Sequence, residues 1–288
     1  MFDLYVQAKN ALTSLESALR VTISNANNYN TPGFKYIFTS FTTLYNEPYT
    51  TGPLTQNPIQ VGAGMTMGST STDFSQGTIS IGTALDVAIT GEGFMLLSSS
   101  PADFSSGSNK VYTRSGRFQV DLGNTYLVDA FGRKVYGYKL NENGDVADTT
   151  LVPIQTNGQT DIGFTDGGLL IANYNEVKTD PTVKKKPLYR LALTTFQNKQ
   201  GLVLSDGASY TATAASGQQA TPGIAGSPIG GTVSTYGNIL ANSLESANID
   251  VARVALDMNL LNRGFSATQG FIDNITKVLQ GLLKIMGG

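Results

Sequence analysis

A handful of short patterns carry residues that could do chemistry, and each lacks something its chemistry needs. Gly91-Glu92-Gly93 could begin a phosphate loop, in which backbone N–H groups cradle an anion, but it has no third glycine and no Walker lysine. The same residues read as a hairpin turn. Asn141 to Asp145 offers side-chain oxygens for calcium without the ligand spacing or the closing glutamate of a calcium loop. Asn274-Ile275-Thr276 fits a glycosylation acceptor, yet it falls where a helix should bury Ile275. Lys184-Lys185-Lys186-Pro187, close to Asp180-Pro181, is the dense charge run of the chain and reads as a solvated loop tip. Composition leaves a Ser–Lys or Asp–Glu enzyme open, and no local motif places one.

The 288 residues include no Cys, His or Trp. Common zinc sites, a cysteine nucleophile and a Ser-His-Asp relay are therefore excluded, as is any disulfide framework. No catalytic, cofactor-binding or metal-binding residue is assigned, and the expectation is a protein that is not an enzyme and needs no cofactor. Nineteen Lys and Arg against 21 Asp and Glu give a net charge of −2, no electrostatic reason to bind nucleic acid or an anionic membrane. Asp3 stands where a secretory signal would carry basic residues, so a cleaved signal peptide is not expected. No run approaches the ~20 apolar residues that span a bilayer; Asp273, Lys277 and Lys284 interrupt the C-terminal segment. The length suggests about two structural units at ~150 residues each.

The elements that must organise such a chain are helical at its ends. Leu4, Ala8, Ala11, Leu15, Ala18 and Thr22 advance by alternating steps of four and three, with Leu12, Leu19 and Ile23 widening the stripe. This helix should stop near Asn25, where Asn25, Asn27, Asn28 and Asn30 crowd ahead of Pro32-Gly33. At the other end Val251, Val254, Met258, Leu261, Phe265, Thr268, Ile272, Ile275, Leu279, Leu282 and Met286 continue the same spacing. Asp250 sits where an N-cap belongs, and a helix over 251–286 would reach roughly 54 Å at 1.5 Å per residue. Gly264, Gly270 and Gly281 each cost it about 1 kcal/mol relative to Ala, so packing must hold it together. Ala252, Leu256, Leu260, Phe271, Val278 and Leu283 lie off the seam and make the stripe wider than a helix pair needs, which reads as an assembly surface.

Between the helices the period falls to two. Ile79 and Ile81, then Leu85, Val87 and Ile89, then Phe118 and Val120, then Tyr189, Leu191 and Leu193 alternate with small or polar residues as half-buried strands. Turn signals at 91–93, 122–124, 143–145, 166–168 and 205–207 predict an antiparallel β domain over 76–215. Residues 36–75 and 216–242 read as extended linkers, and 1–35 with 243–288 as one helical module. The predicted fold class is α+β, with the terminal helices forming a coiled-coil-like module around a central antiparallel β domain.

Five segments, in order, resemble the bacterial flagellar rod and hook axial family. They are Ile23 to Lys35, ending Thr31-Pro32-Gly33-Phe34-Lys35; Asp86-Val87-Ala88-Ile89-Thr90-Gly91-Glu92-Gly93-Phe94; Tyr112-Thr113-Arg114-Ser115-Gly116-Arg117-Phe118; Leu193 to Asn198 with Gly201-Leu202; and Ser243 to Val251. Asn262-Arg263-Gly264-Phe265 departs from the family pattern, which usually has Gln-Arg followed by a small residue and an aromatic. The resemblance implies that the terminal helices form the inner wall of a hollow helical tube, with the β domain outward. It also implies export through the flagellar type III apparatus without a cleaved signal, location in the hook or basal body, and neighbouring axial proteins as partners. The assembly residues would be Leu4, Ala8, Ala11, Leu15, Ala18, Asn25, Asn28, Gly33, Phe34, Val254, Met258, Leu261, Phe265, Ile272, Ile275, Leu279 and Leu282. The asparagine cluster reads equally as a helix stop or as an intersubunit contact. Residues 136–144 and 151–154 look hook-like and the spacer at 36–61 rod-like, with the balance toward hook. The expected function is a non-catalytic subunit of a tube that transmits motor torque to the filament; the rival reading is a surface adhesin or glycan-binding β module.

Overall fold

The structure is a computed structural model that describes residues 2–44, 47–50, 59–61, 64–99, 110–121, 123, 125–230 and 233–286. Helix α1 spans Phe2–Asn27, followed by strands β1 (Ile37–Thr43), β2 (Glu47–Thr50), β3 (Ile59–Val61), β4 (Met65–Thr72), β5 (Ile79–Ile81), β6 (Val87–Thr90), β7 (Phe94–Ser98) and β8 (Lys110–Thr113). Next come β9 (Gln119–Val120), β10 (Leu127–Val128), β11 (Lys134–Lys139), β12 (Val152–Pro153), β13 (Gly163–Thr165), β14 (Leu169–Ile171) and the short helix α2 (Tyr174–Thr179). The chain finishes with β15 (Pro187–Leu191), β16 (Leu193–Thr194), β17 (Val203–Leu204), β18 (Ser209–Thr211), β19 (Asn238–Ala241), β20 (Ser243–Glu245) and helix α3 (Val251–Met286). This is an α+β protein whose strands pair antiparallel.

Two compact units share the chain: Met1–Asn27, Tyr36–Asp73 and Ile249–Gly288 form one, and Asn28–Lys35 with Phe74–Asn248 form the other. The helical unit contains α1, α3 and two hairpin-like pairs, β1 with β4 and β2 with β3. Asp250 caps α3 as its position predicts: its carboxylate accepts from Ala252 N at 2.9 Å, and its carbonyl accepts from Val254 N at 3.0 Å. Helix α1 runs to Asn27, two residues past the expected stop, because Asn25 turns its amide outward to a strand and does not compete for the helix backbone. Asn25 Nδ2 donates to Ile37 O at 2.8 Å, and Asn25 Oδ1 accepts from Ile37 N at 3.1 Å. Hydroxyls on or beside the apolar seams are satisfied within their own helices. Thr22 donates to Ala18 O, Thr268 to Gly264 O and Thr276 to Ile272 O.

The β unit is built on a sheet whose main path runs β13-β14-β15-β11-β7-β8-β18-β17. Strand β7 lies inside it and is buried on both faces. Its odd and even side chains therefore serve two separate cores. Met95 and Leu97 join an aliphatic cluster with Val87, Ile89, Leu127, Val135 and Leu191. Phe94 and Leu96 join an aromatic one with Tyr112, Tyr136, Phe196 and Tyr210. Edge-to-face ring pairs define the aromatic core, Tyr112 against Phe196 at 4.7 Å and Phe94 against Tyr210 at 6.0 Å between centroids.

Several expectations differ from this arrangement. Residues 36–75 were expected as linker, but 37–43 and 65–72 pair as β1 and β4. Residues 216–242 also make strand contacts: β19 pairs with β6, and Gly223 exchanges backbone hydrogen bonds with Leu193. Residues 28–35 and 243–248 cluster with the β unit rather than with the helices. Gly91 and Gly93, at φ +100° and +140°, make a corner between strands of different sheets and not a hairpin, since β6 pairs with β19 and β7 with β8, β11 and β16. Ile81 is fully out in solvent, so β5 is not half-buried as its alternation suggested. In the turn at 122–124, Leu122 and Asn124 lie outside the described residues.

Candidate assembly surface

In the helical unit α1 packs on α3. A Cβ on Gly264 would meet the Leu15 methyl groups at 3.5 and 3.7 Å, ordinary van der Waals contact, so this packing does not require the glycine. The seam residues predicted to face other copies divide by exposure. Ala8, Leu15, Ala18, Val254 and Ile275 are buried by their own chain, and Ala11, Met258, Leu261, Phe265, Ile272 and Leu279 are half-buried. Leu4 and Leu282 remain exposed.

Asn25 is buried by its bonds to Ile37, and half-buried Asn28 accepts from the Thr31 hydroxyl at 3.0 Å. Gly33 and Phe34 are buried in the β unit. Gly33 has φ +72°, and a Cβ on it would lie 2.5 Å from Ser115 N, so no other residue fits both its conformation and its contact.

A second apolar stripe lies beside the covered seam of α3. Leu256, Leu260, Ala267, Phe271, Val278, Leu282 and Ile285 follow one another by steps of four, seven, four, seven, four and three. They occupy a face turned roughly a quarter of a turn from Val254, Leu261 and Ile275 at 3.6 residues per turn. All seven are exposed, Phe271 at 48% and Ile285 at 79%. On α1, Leu4, Val6 and Ile23 are exposed as well. Sequence reasoning gathered Leu256, Leu260, Phe271 and Val278 only as a widening of one stripe and missed Val6 and Ile285. The signal was available in the repeating four-and-seven spacing.

The base of α3 is pinned by a polar and aromatic cluster. Tyr36 donates to Asp257 Oδ2 at 2.8 Å, and the Arg253 guanidinium lies 4.8 Å from the centre of the Phe38 ring and 5.5 Å from that of Tyr36. Burial, then the Asp257 carboxylate, pushes the Tyr36 phenol up to about 12. Among the described residues no group of three or more Asp, Glu, His or Cys could hold a metal ion, and no helix is long and apolar enough to cross a membrane. The arrangement can hide apolar surface, at roughly 1.5–3 kcal/mol per large side chain taken fully from water.

No family model matches the chain. It is 27% identical over 281 residues to the flagellar basal-body rod protein FlgG of Bacillus subtilis, a match covering 95% of each chain. To the flagellar hook protein FlgE of Helicobacter pylori it is 30% identical over 173 residues, which is 56% of this chain and 23% of that protein. To the hook protein FlgE of Helicobacter mustelae it is 34% identical over 155 residues, 48% of this chain and 33% of the relative. The chain thus spans nearly the whole of the rod protein and a third or less of these hook proteins.

Proposed function

We infer that this chain, a member of the flagellar rod and hook axial protein family, is a structural subunit that polymerises with copies of itself and adjoins neighbouring axial proteins in the flagellum. The observation that carries this reading is the second stripe of α3. A folded helix pair has covered one seam and left a row of apolar side chains in water, with Arg263 and Asn274 in its gaps, and exposed apolar surface of this kind marks an association site. The terminal helices pair in a coiled-coil-like module over their shared seam, and the stripe from Leu256 to Ile285 meets the helices of the next copy. Helices α1 and α3 act as the inner wall of a hollow tube. The near-equal length shared with a rod protein favours a rod-type subunit; the 136–144 and 151–154 segments keep the hook reading as the second one. Export runs through the flagellar type III apparatus without a cleaved signal.

Electron microscopy of the purified full chain under assembly conditions tests this. Hollow tubes are expected. Dispersed particles at every concentration and ionic strength, with both terminal helices formed by circular dichroism, would remove the axial reading.

A further inference from the structure

The family-like segments containing Lys35, Arg114 and Glu245 are far apart in sequence, yet these three side chains meet in the β unit and are buried together. Lys35 Nζ donates to Glu245 Oε1 and to Ser75 O, each at 2.6 Å. Arg114 Nη1 lies 3.5 Å from Glu245 Oε2, and its Nη2 donates to Gly91 O at 2.5 Å. Gly77 N donates to Glu245 Oε1 at 2.9 Å, Gly33 N to Glu245 O at 2.7 Å and Asn248 N to Phe34 O at 3.4 Å. The Asn248 amide adds bonds to Ser75 O and Oγ. The chain passes between this unit and the rest of the molecule at Asn28, Lys35, Phe74 and Asn248, and the node lies beside the last three of these four. The ion cluster therefore gathers the segments on which those passages depend.

We propose that Lys35, Arg114 and Glu245 form an ion node that fixes the chain passages 33–35, 74–77 and 245–248 in one geometry, so that force entering the β unit is shared among them. The mechanical part rests on the axial reading above. Buried ions add little net stability over apolar residues of the same size, because desolvation offsets their attraction. What they add is exclusivity: any other arrangement leaves a charge buried without its partner, at several kcal/mol per ion. A node of charges thus resists sliding of one segment past another better than a greasy contact does. The node carries two cations on one carboxylate, and the carbonyls of Ser75 and Gly91 accept from the cations.

Hydrogen exchange on the full chain with Glu245→Gln tests the node. The amides of Gly33, Gly77, Ser246 and Asn248 should exchange at least tenfold faster, while those of Leu96, Tyr112 and Val135 in the sheet stay within twofold. Unchanged exchange at the first four, or an equal rise throughout the sheet, overturns the proposal. If Glu245→Gln does not fold, Arg114→Met removes the 3.5 Å contact to Glu245, the Gly91 bond and the guanidinium's place over the Phe94 ring, leaves the Lys35–Glu245 pair, and is read at the same amides. In polymers made from the variant, the bending persistence length should fall at least twofold; an unchanged length overturns the mechanical role. A wild-type chain that forms no polymer sinks the axial reading instead, and the exchange measurement still decides the node.

Discussion

Ile275 and Phe271 stand four residues apart on α3 and should fail in opposite ways. Ile275 is 7% exposed and belongs to the seam that the chain covers itself, whereas Phe271 is 48% exposed on the second stripe. Truncating a buried isoleucine to alanine removes its transfer energy and leaves a cavity, so Ile275→Ala should cost the helical unit about 2–4 kcal/mol. Phe271→Asp changes a half-exposed position of similar helix propensity and should leave the lone chain within about 0.5 kcal/mol of wild type. In a polymer the same aspartate forfeits the burial of half a phenylalanine, roughly 1 kcal/mol, and places a carboxylate in a drying interface at several more. A total near 4 kcal/mol per contact raises the critical concentration for assembly about a thousandfold, at 1.4 kcal/mol for each factor of ten. Urea unfolding followed by far-ultraviolet circular dichroism reads the first quantity, and pelleting across a concentration series reads the second. If Phe271→Asp assembles within threefold of the wild-type critical concentration, the stripe is not the interface. If Ile275→Ala unfolds at the wild-type midpoint, the seam is not where the pair is held.

Two further outcomes follow from the β unit and the base of α3. Tyr36 and Tyr112 have phenols pushed up to about 12, Tyr112 by burial alone. The folded state thus holds these protons more tightly than the unfolded chain, and the stability they contribute is complete below pH 10 and lost as pH rises toward about 12. Burial also raises Tyr138, Tyr189, Tyr210 and Tyr236, so phenolate absorbance should show a late phase after the exposed tyrosines, its amplitude falling in Tyr36→Phe and in Tyr112→Phe; a single step near pH 10 with the fold intact would contradict this. Gly116→Ala would place a Cβ 1.9 Å from Val87 O, across a contact fixed by the 3.0 Å bond from Val87 N to Gly116 O, and should cost about 3 kcal/mol. Gly132→Ala meets nothing within 4 Å and suffers only its φ of +76°, about 1 kcal/mol. Equal urea midpoints for the two variants would refute the crowding at Gly116.

The helices were legible because a seam spaced three and four is a local property, and Asp250 marked the start of α3 in a single residue. Strand β7 carries no such mark: Phe94-Met95-Leu96-Leu97 is buried on both faces, so alternation could not reveal it. The β1 and β4 pair escaped for the opposite reason, since its Thr- and Ser-rich strands show no apolar period and their pairing is a matter of register. Legibility was weakest for the ion node. Lys35 and Glu245 are joined only by the fold, and neither lies in a charge cluster. The hint available was a lone charge set among apolar and glycine neighbours, as in Gly33-Phe34-Lys35 and Ser243-Leu244-Glu245. For the assembly surface, the sequence separated too little: it showed the width of the stripe on α3 and not its division into a covered and an open face.

Helix α1 closes on a partner, α3, that lies beyond the whole β unit in the chain. Nearly the whole described chain must be threaded before α3 arrives, and a contact of such sequence separation is entropically slow to form. The sheet can mature on its own timetable in the meantime, while the first helix remains without the α3 face that Leu15 packs on. A nascent molecule that lacks α3 therefore keeps that face of α1 uncovered, and competence arrives all at once with α3.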